Sequence, residues 1–286
     1  MAHSIPLSKS CAVSDFADPD LGEAIRQVFP HESKRFGNAF PVGVEYRKHW
    51  EVGMAVLALR EGGALRPDAE ILGVGVGNEP TLFWLTNHVR RVFATDIYAD
   101  ESWDESSNAS MLTAPGRHWP GMWNPRRLVV QHMDGRDLRF EDHSFDAVFS
   151  SSSIEHFGAV ADARASVEEM HRVLKPGGVL SLSTELRLAG PGPGLPGIIM
   201  FSPAELHELV VAGLDWASAP SWNFVPDPGS LRAPVVPFEH AAADVRAHVA
   251  ANGRIYYERL DWSTYPHVVL SQDDILWTSV HITAIR

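Results

Sequence analysis

Gly73, Gly75 and Gly77 fall at alternate positions in the run Ile-Leu-Gly-Val-Gly-Val-Gly-Asn-Glu-Pro at residues 71–80, and Asp96 follows Gly77 by nineteen residues. Glycine has no Cβ, so backbone at these positions can approach a ligand closely. A carboxylate at the end of the next apolar run can accept hydrogen bonds from a ribose diol. Together they point to a cofactor that contains adenosine. A second pair, Glu155 and His156, stands in Ser-Ile-Glu-His-Phe at residues 153–157. Imidazole titrates near neutrality and suits removal of a proton from a hydroxyl nucleophile. Glu155 could orient that imidazole or act as the base itself. The plainer alternative is that both residues open the next helix and bond locally. Cys11 is the only cysteine, so the chain can form neither an internal disulfide nor a cysteine-based zinc site. An isolated cysteine near a terminus reads as structural before it reads as a nucleophile.

Alternating strands and helices must position these groups. Apolar runs predict strands at about 70–75, 91–96, 128–133, 145–150 and 179–184, with helices at about 79–88 and 161–174 between them. Pro80 falls in a first helical turn, where proline is tolerated. Lys-Pro-Gly-Gly at 175–178 stops the second helix and lets the chain reverse. This alternation is that of a doubly wound parallel sheet, with Asp96 and His156 near the carboxyl edge where ligands bind. Ser-Pro-Ala-Glu at 202–205 reads as an N-cap and first turn of a helix over 203–213. Residues 219–237 read as irregular and 238–251 as helical. Strands at 267–270 and 275–285 about a turn at 271–274 form a terminal antiparallel hairpin. Ahead of the first strand, residues 1–66 read as an N-terminal helical cap, with a helix at 52–60 approached through Glu45 to Trp50. Residues 67–286 form the main domain, with acceptor-side insertions at about 98–127 and 190–262.

The segment Gly-Pro-Gly-Pro-Gly-Leu-Pro-Gly at 190–197 is either a surface loop or a mobile lid over the sheet edge. Trp103, Trp119 and Trp123 form either an apolar wall or a stacking platform for an acceptor, and packing is the commoner use. Tyr46, Arg47 and Trp50 could close over a cofactor, and Arg187 could meet a polar acceptor. His132 falls within a strand and reads as structural, His143 as surface, and His88, His118, His171 and His240 as solvated.

The chain has 286 residues, is 45% hydrophobic and 21% charged, and carries a net charge of −12 with histidine neutral. These values are ordinary for a globular protein with a substantial core. The acidic balance argues against broad electrostatic binding of nucleic acid. No apolar run reaches the length of a membrane span and residues 1–10 lack an apolar signal core. A cytoplasmic location, with no membrane partner, is expected; the oligomeric state is not legible.

The glycine run lacks the third glycine of a dinucleotide fingerprint, because Pro80 stands at that position. Downstream come Met-Asp-Gly at 133–135, Ser-Phe-Asp-Ala-Val at 144–148, Ser-Ile-Glu-His-Phe at 153–157 and Arg-Val-Leu-Lys-Pro-Gly-Gly at 172–178. In that order the four motifs resemble the class I S-adenosylmethionine-dependent methyltransferases of the small-molecule, type 11 kind. The resemblance covers about residues 68–185. It implies an α/β, Rossmann-like, seven-stranded sheet, mostly parallel with an antiparallel C-terminal strand. It implies S-adenosylmethionine as cofactor, cradled by Gly73, Gly75 and Gly77. Asp96 would take the ribose hydroxyls, with Ile97 beside it. Asp134 and Gly135 would flank adenine, and Ser150 and Ser151 would line the methionyl and transfer end. Glu155 and His156 would serve catalysis.

Two departures stand out. Gly73 occupies the position of the family's usual acid, and Glu79 occupies that of its last glycine. Glu79 could supply the missing charge, or could simply favour a helix first turn. Some quinone-pathway relatives bind a divalent ion through a Glu-His element. Here Ser152 and Ser153 precede the pair instead of a second carboxylate, and no metal is expected. The implied activity is methyl transfer to a small-molecule or sugar acceptor, at a hydroxyl. A nicotinamide-dependent oxidoreductase and a non-catalytic binding module of the same fold remain the alternatives.

Overall fold

The computed structural model describes residues 5–98, 107–218, 224, 235–238 and 266–286. The expected helix at 238–251, most of the 219–237 stretch, Trp103 and His240 lie outside the described residues. Helices α1 (Pro19–Val28), α2 (Pro30–Phe36) and α3 (Arg47–Glu61) precede the main strands, and β1 (Lys9–Ser10) comes before them. The alternating part runs β2 (Glu70–Val74), α4 (Pro80–Leu85), β3 (Arg91–Asp96), β4 (Leu128–His132), β5 (Phe145–Ser151), α5 (Val160–Val173) and β6 (Leu174–Ala189). A small hairpin, β7 (Gly194–Leu195) and β8 (Ile198–Ile199), leads to α6 (Pro203–Val210). Strands β9 (Val235–Pro237), β10 (Val269–Gln272) and β11 (Ile275–Ile285) complete the described chain.

The main sheet has the order β4-β3-β2-β5-β6-β11-β10-β9, and β1 pairs with β11. From β4 to β6 every pairing is parallel, whereas β11 runs antiparallel to both β6 and β10. The expected seven strands are present in this mostly parallel arrangement. The short strands β1 and β9 lengthen the sheet to nine. The strand order reverses at β2, which has β3 on one side and β5 on the other. The carboxyl ends of β2, β3 and β5 therefore surround the switch point where doubly wound sheets bind ligands.

Side chains alternate across the strands and build two cores. Ile71, Ala147 and Phe149 face one apolar cluster together with α1, α3 and α4; Leu72, Val148, Leu180 and Leu182 face the other, with α5 and α6. Helix α3 is buried along almost its whole length. A Cβ at Gly53 would stand 2.6 Å from Leu21 and 2.7 Å from Ile25, so this glycine lets α1 press against α3. The N-terminal helices thus share a core with the sheet.

Local signals explain several boundaries. Ser202 Oγ accepts from Glu205 N at 3.2 Å and Glu205 Oε2 accepts from Ser202 N at 2.6 Å, a reciprocal cap on α6. Asp273 and Asp274 both take positive φ, 49° and 63°, as the tight turn between β10 and β11 demands. Helix α4 stops at Leu85, short of the expected 88, where Thr86 Oγ1 bonds back to Phe83 O at 2.6 Å. No helix among the described residues is long and apolar enough to cross a membrane.

Candidate active site

The glycine turn leaves β2 and is tied to the end of β3. Gly75 and Gly77 take positive φ, 65° and 45°, a region open to glycine. Gly75 N and Val76 N both donate to Thr95 O, at 2.8 and 3.3 Å. Gly77 N donates to Asp96 Oδ2 at 2.9 Å, and Tyr98 OH to Gly77 O at 3.1 Å. Asp96 Oδ1 accepts from Ile97 N at 2.7 Å and from Ser107 Oγ at 2.6 Å. A carboxylate offers about four lone-pair directions. A ribose hydroxyl must use the remaining one or replace Ser107. Beside it, Ile97 is 47% exposed.

The other glycines serve packing. A Cβ at Gly73 would meet Val76 at 2.8 Å and Phe149 at 3.0 Å, so no acid could stand at that buried position. A Cβ at Gly75 would meet Ser153 and Phe157, at 2.7 and 2.8 Å, and one at Gly135 would meet Phe157 at 2.7 Å and Val74 at 3.0 Å. Phe157 is thus a wedge resting on both glycines, which the sequence did not announce. Asp134, placed beside adenine by the resemblance, is held by Arg136 through Nε at 2.9 Å and Nη2 at 2.7 Å. That pairing holds its carboxyl below the usual range. Arg136 also reaches Asp162 at 3.0 Å.

Next to the switch point lies a buried polar cluster. Arg47 Nη1 donates to both oxygens of Glu185, at 2.7 and 2.9 Å, and to Ser279 Oγ at 2.9 Å. Lys48 Nζ reaches Glu51 at 3.1 Å, Glu185 at 3.3 Å and Ser152 Oγ. Ser152, at φ 49°, donates to Glu51 Oε2 at 2.7 Å. Burial opposes the charge of Glu185, yet Arg47 and Lys48 outweigh it and keep that carboxyl below its ordinary range. Arg47 is therefore anchored inside the protein; the expected closing role at the cofactor falls on a residue already engaged.

Glu155 is 1% exposed. Its Oε2 accepts from Thr184 Oγ1 at 2.7 Å, while its Oε1 is buried with no hydrogen-bond partner. Burial, followed by the charge of Glu185, pushes this carboxyl up to about 8. Glu79 Oε2 is likewise buried and unpartnered. Burial, then the charge of Glu51, raises the Glu79 carboxyl well above its ordinary value. Glu79 sits at the N-cap of α4 but its side chain makes no capping bond there. Ser150 is fully buried with an unpartnered hydroxyl, and Ser151 is 7% exposed.

The imidazole of His156 does not turn to Glu155. Its Nδ1 meets Gly197 O at 2.9 Å, on the β7–β8 hairpin. The segment at 190–197 therefore folds back onto the Glu-His turn. Arg187 Nη1 donates to Met200 O at 2.7 Å and lies 3.3 Å from Glu205, so it secures the foot of this hairpin. Sequence reasoning also missed His118, expected in solvent. It is half-buried, with Asn78 Nδ2 at 3.1 Å and Ser110 Oγ at 2.8 Å. Trp119 stacks on Phe83 at 5.8 Å and Trp123 meets the same ring edge-on at 5.4 Å, which makes both packing residues. Cys11 is buried, and burial raises its thiol well above the ordinary range, which disfavours the thiolate that a nucleophile needs. Among the described residues no group of three or more His, Cys, Asp or Glu is placed to hold a metal ion.

An aligned carboxylate at β3, a left-handed glycine turn at β2 and two unsatisfied buried carboxylate oxygens fit a ligand that joins a ribose to a cationic group. Comparison with known proteins gives the same ligand class. Residues 72–182 match the model of a methyltransferase domain family. These residues form a class I methyltransferase domain. The family's methyl donor is S-adenosylmethionine, so the chain carries the domain of an S-adenosylmethionine-dependent enzyme. The 27-O-demethylrifamycin SV methyltransferase of Amycolatopsis mediterranei is 28% identical over 181 residues, 56% of this chain and 61% of that protein. The chain thus spans under two thirds of the length of that curated relative. Phosphoethanolamine N-methyltransferase 2 of Haemonchus contortus, solved with S-adenosyl-L-methionine, has a TM-score of 0.52 at 16% identity, covering 96% of this chain and 60% of its own. A protein of Galdieria sulphuraria, provisionally assigned as a sarcosine dimethylglycine methyltransferase, also gives 0.52, at 14% identity, covering 92% and 98%. At such identities the two structures speak for the fold.

Proposed function

We propose that this chain transfers a methyl group from S-adenosylmethionine to a hydroxyl of a small-molecule or sugar acceptor. The observation that carries the reading is the Gly75–Gly77 turn bonded to Asp96 at the switch point, inside a methyltransferase domain. The relative named for 27-O-demethylrifamycin SV supports a small-molecule acceptor and an oxygen nucleophile. When bound, the cofactor supplies an activated methyl on a sulfonium, so the protein's work is alignment and exclusion of water.

Asp96 would bind the ribose hydroxyls, and the Gly75–Gly77 backbone would lie along the methionyl part. Glu79, with a buried unpartnered oxygen, would take the ammonium. On this reading the exchange of acid and glycine in the first motif has a cause: Val76 and Phe149 fill the family's usual acidic position, and Glu79 would bring the charge from the other end of the turn. His156 would accept the acceptor's proton. Where Nδ1–H donates to Gly197 O, the neutral ring carries its lone pair on Nε2. The hairpin at 194–199 would then fix the ring and shield the transfer from water.

Calorimetric titration with S-adenosylmethionine, S-adenosylhomocysteine and NADH tests the cofactor. Binding of the first two, with no heat from NADH, is the expected result; a response to NADH alone overturns the reading. Turnover of a labelled methyl donor against hydroxyl-bearing small molecules and glycosides then tests the acceptor class, with His156→Ala losing about a hundredfold in rate.

A further inference from the structure

Two cations, Arg47 and Lys48, face four carboxyls, Glu51, Glu79, Glu155 and Glu185, in the cluster beside the switch point. Arg47 and Lys48 are both committed to Glu51 and Glu185. The two remaining carboxyls each hold one buried oxygen without a partner. A buried carboxylate without a counter-charge is costly. A cationic ligand entering this cluster would therefore meet two carboxyls that no protein cation has bonded.

The two orphan oxygens stand at different places along the edge. Glu79 belongs to the glycine turn after β2, where the methionyl part would lie. Glu155 follows β5, one strand further toward the transfer end. It is anchored from behind by Thr184 of β6 and is 1% exposed. We propose that Glu155 is a charge-selective seat for the donor sulfonium, distinguishing S-adenosylmethionine from S-adenosylhomocysteine, whose sulfur is neutral. This assignment rests on the methyltransferase reading and adds a specificity-determining residue to it. Both molecules carry the ammonium assigned to Glu79. The difference between them therefore reports on Glu155.

Proton balance follows directly. With the seat empty, Glu155 keeps its proton up to about pH 8. Seating a sulfonium favours the carboxylate and releases that proton to solvent. Donor affinity then rises with pH toward that value, whereas product affinity does not follow through this residue. After burial, the charges around the carboxyl act in both directions: Glu185 raises it and Lys48 of α3 lowers it, with Glu51, Glu79 and Asp96 farther along the edge. Cys11, Tyr46, Tyr98, His156 and His267 are further titratable groups near the cluster, and burial raises the Cys11 thiol well above its ordinary value. Burial raises the Tyr98 hydroxyl and lowers His267 to about 4, so neither changes charge near pH 8. His156 is covered by the variant below.

The test is calorimetry of the full chain with S-adenosylmethionine and S-adenosylhomocysteine at pH values from about 6 to about 9. The ratio of product Kd to donor Kd is expected to rise about tenfold or more with pH. It should stay flat in Glu155→Gln and still rise in His156→Gln. A ratio that is flat in the parent protein overturns the seat while leaving the methyltransferase reading intact. Failure of both ligands to bind overturns the reading itself. Thr184→Val gives a second handle that does not alter the carboxyl. Loss of the hydroxyl's hydrogen bond should move the rise to higher pH by about one unit. A Thr184→Val profile superimposable on the parent's also overturns the proposal.

Discussion

Asp96 shows why a motif residue cannot be assessed by identity alone. Its carboxylate is not idle before a nucleoside arrives: it clamps the glycine turn through Gly77 N, caps its own strand end through Ile97 N, and receives Ser107 Oγ. The first two bonds shape the pocket floor. The third comes from a neighbouring segment and is the one that a ribose hydroxyl, bound as proposed, would replace if it did not use the remaining lone-pair direction. Asp96→Asn keeps the shape but replaces one acceptor oxygen by a donor facing donors. A loss of about 1.5–3 kcal/mol, or roughly ten- to a hundredfold in S-adenosylmethionine affinity, is expected by calorimetry. Ser107→Ala removes only the placeholder, so affinity should hold or improve slightly. If Ser107→Ala weakened binding as much as Asp96→Asn, the serine would be a ligand contact and the replacement idea would fail.

At the scale of elements, the turn at 153–157 is the part that sequence patterns described least well. Glu155 and His156 were visible as chemistry, but the partner of each was not. Glu155 bonds to Thr184 on the adjacent strand and His156 to a backbone carbonyl 41 residues later, and neither contact leaves a periodic or spacing signal. Phe157, adjacent to the conspicuous pair, is the wedge that requires glycine at both 75 and 135. Gly135→Ala should therefore destabilise the fold by about 1–3 kcal/mol, read as a lower urea midpoint with unchanged slope. The loss should shrink in the double variant Gly135→Ala/Phe157→Leu, since the smaller side chain yields the space. Equal losses in the single and double variants would show that the ring is not what the glycine accommodates. By contrast, Pro80, the cap at Ser202 and the Asp273-Asp274 turn were legible because their signals are local backbone preferences.

Across the whole molecule the acidic residues fall into two electrostatic regimes, according to whether cations bond them closely enough to outweigh burial. At the amino edge, Asp146 of the Ser-Phe-Asp-Ala-Val motif receives Glu70 N at 2.9 Å, Lys175 Nζ at 2.9 Å and Arg66 at 2.5 Å. Burial opposes its charge, but these partners outweigh it and hold the carboxyl low. Arg172 of the Arg-Val-Leu-Lys-Pro-Gly-Gly motif similarly ties Glu169 and Asp142 to the carbonyls of Leu138 and Phe140. These motif residues brace the strands that carry the site, which is why the family pattern was readable while the ligand contacts were not. At the carboxyl edge cations likewise hold Asp134 and Glu185 low, whereas Glu79 and Glu155, with no cation bonded to them, are raised by burial.

The consequences for stability have opposite signs. A depressed carboxyl such as Asp146 contributes stability above its unfolded value, near 3.9, and loses it as pH falls through the folded value. A raised one such as Glu155 binds its proton more tightly in the folded chain. Its contribution is complete below the unfolded value, near 4.3, and drains away as pH climbs through about 8. The unliganded protein should thus melt at a lower temperature at about pH 8.5 than at about pH 6. Glu155→Gln, which has no proton to lose, should reduce that decline. Asp146→Asn should lower the melting temperature at neutral pH and leave the alkaline decline unchanged. Differential scanning calorimetry across this range separates the two kinds of carboxyl. An alkaline decline identical in Glu155→Gln and the parent would assign it to other groups and remove Glu155 as the titrating carboxyl.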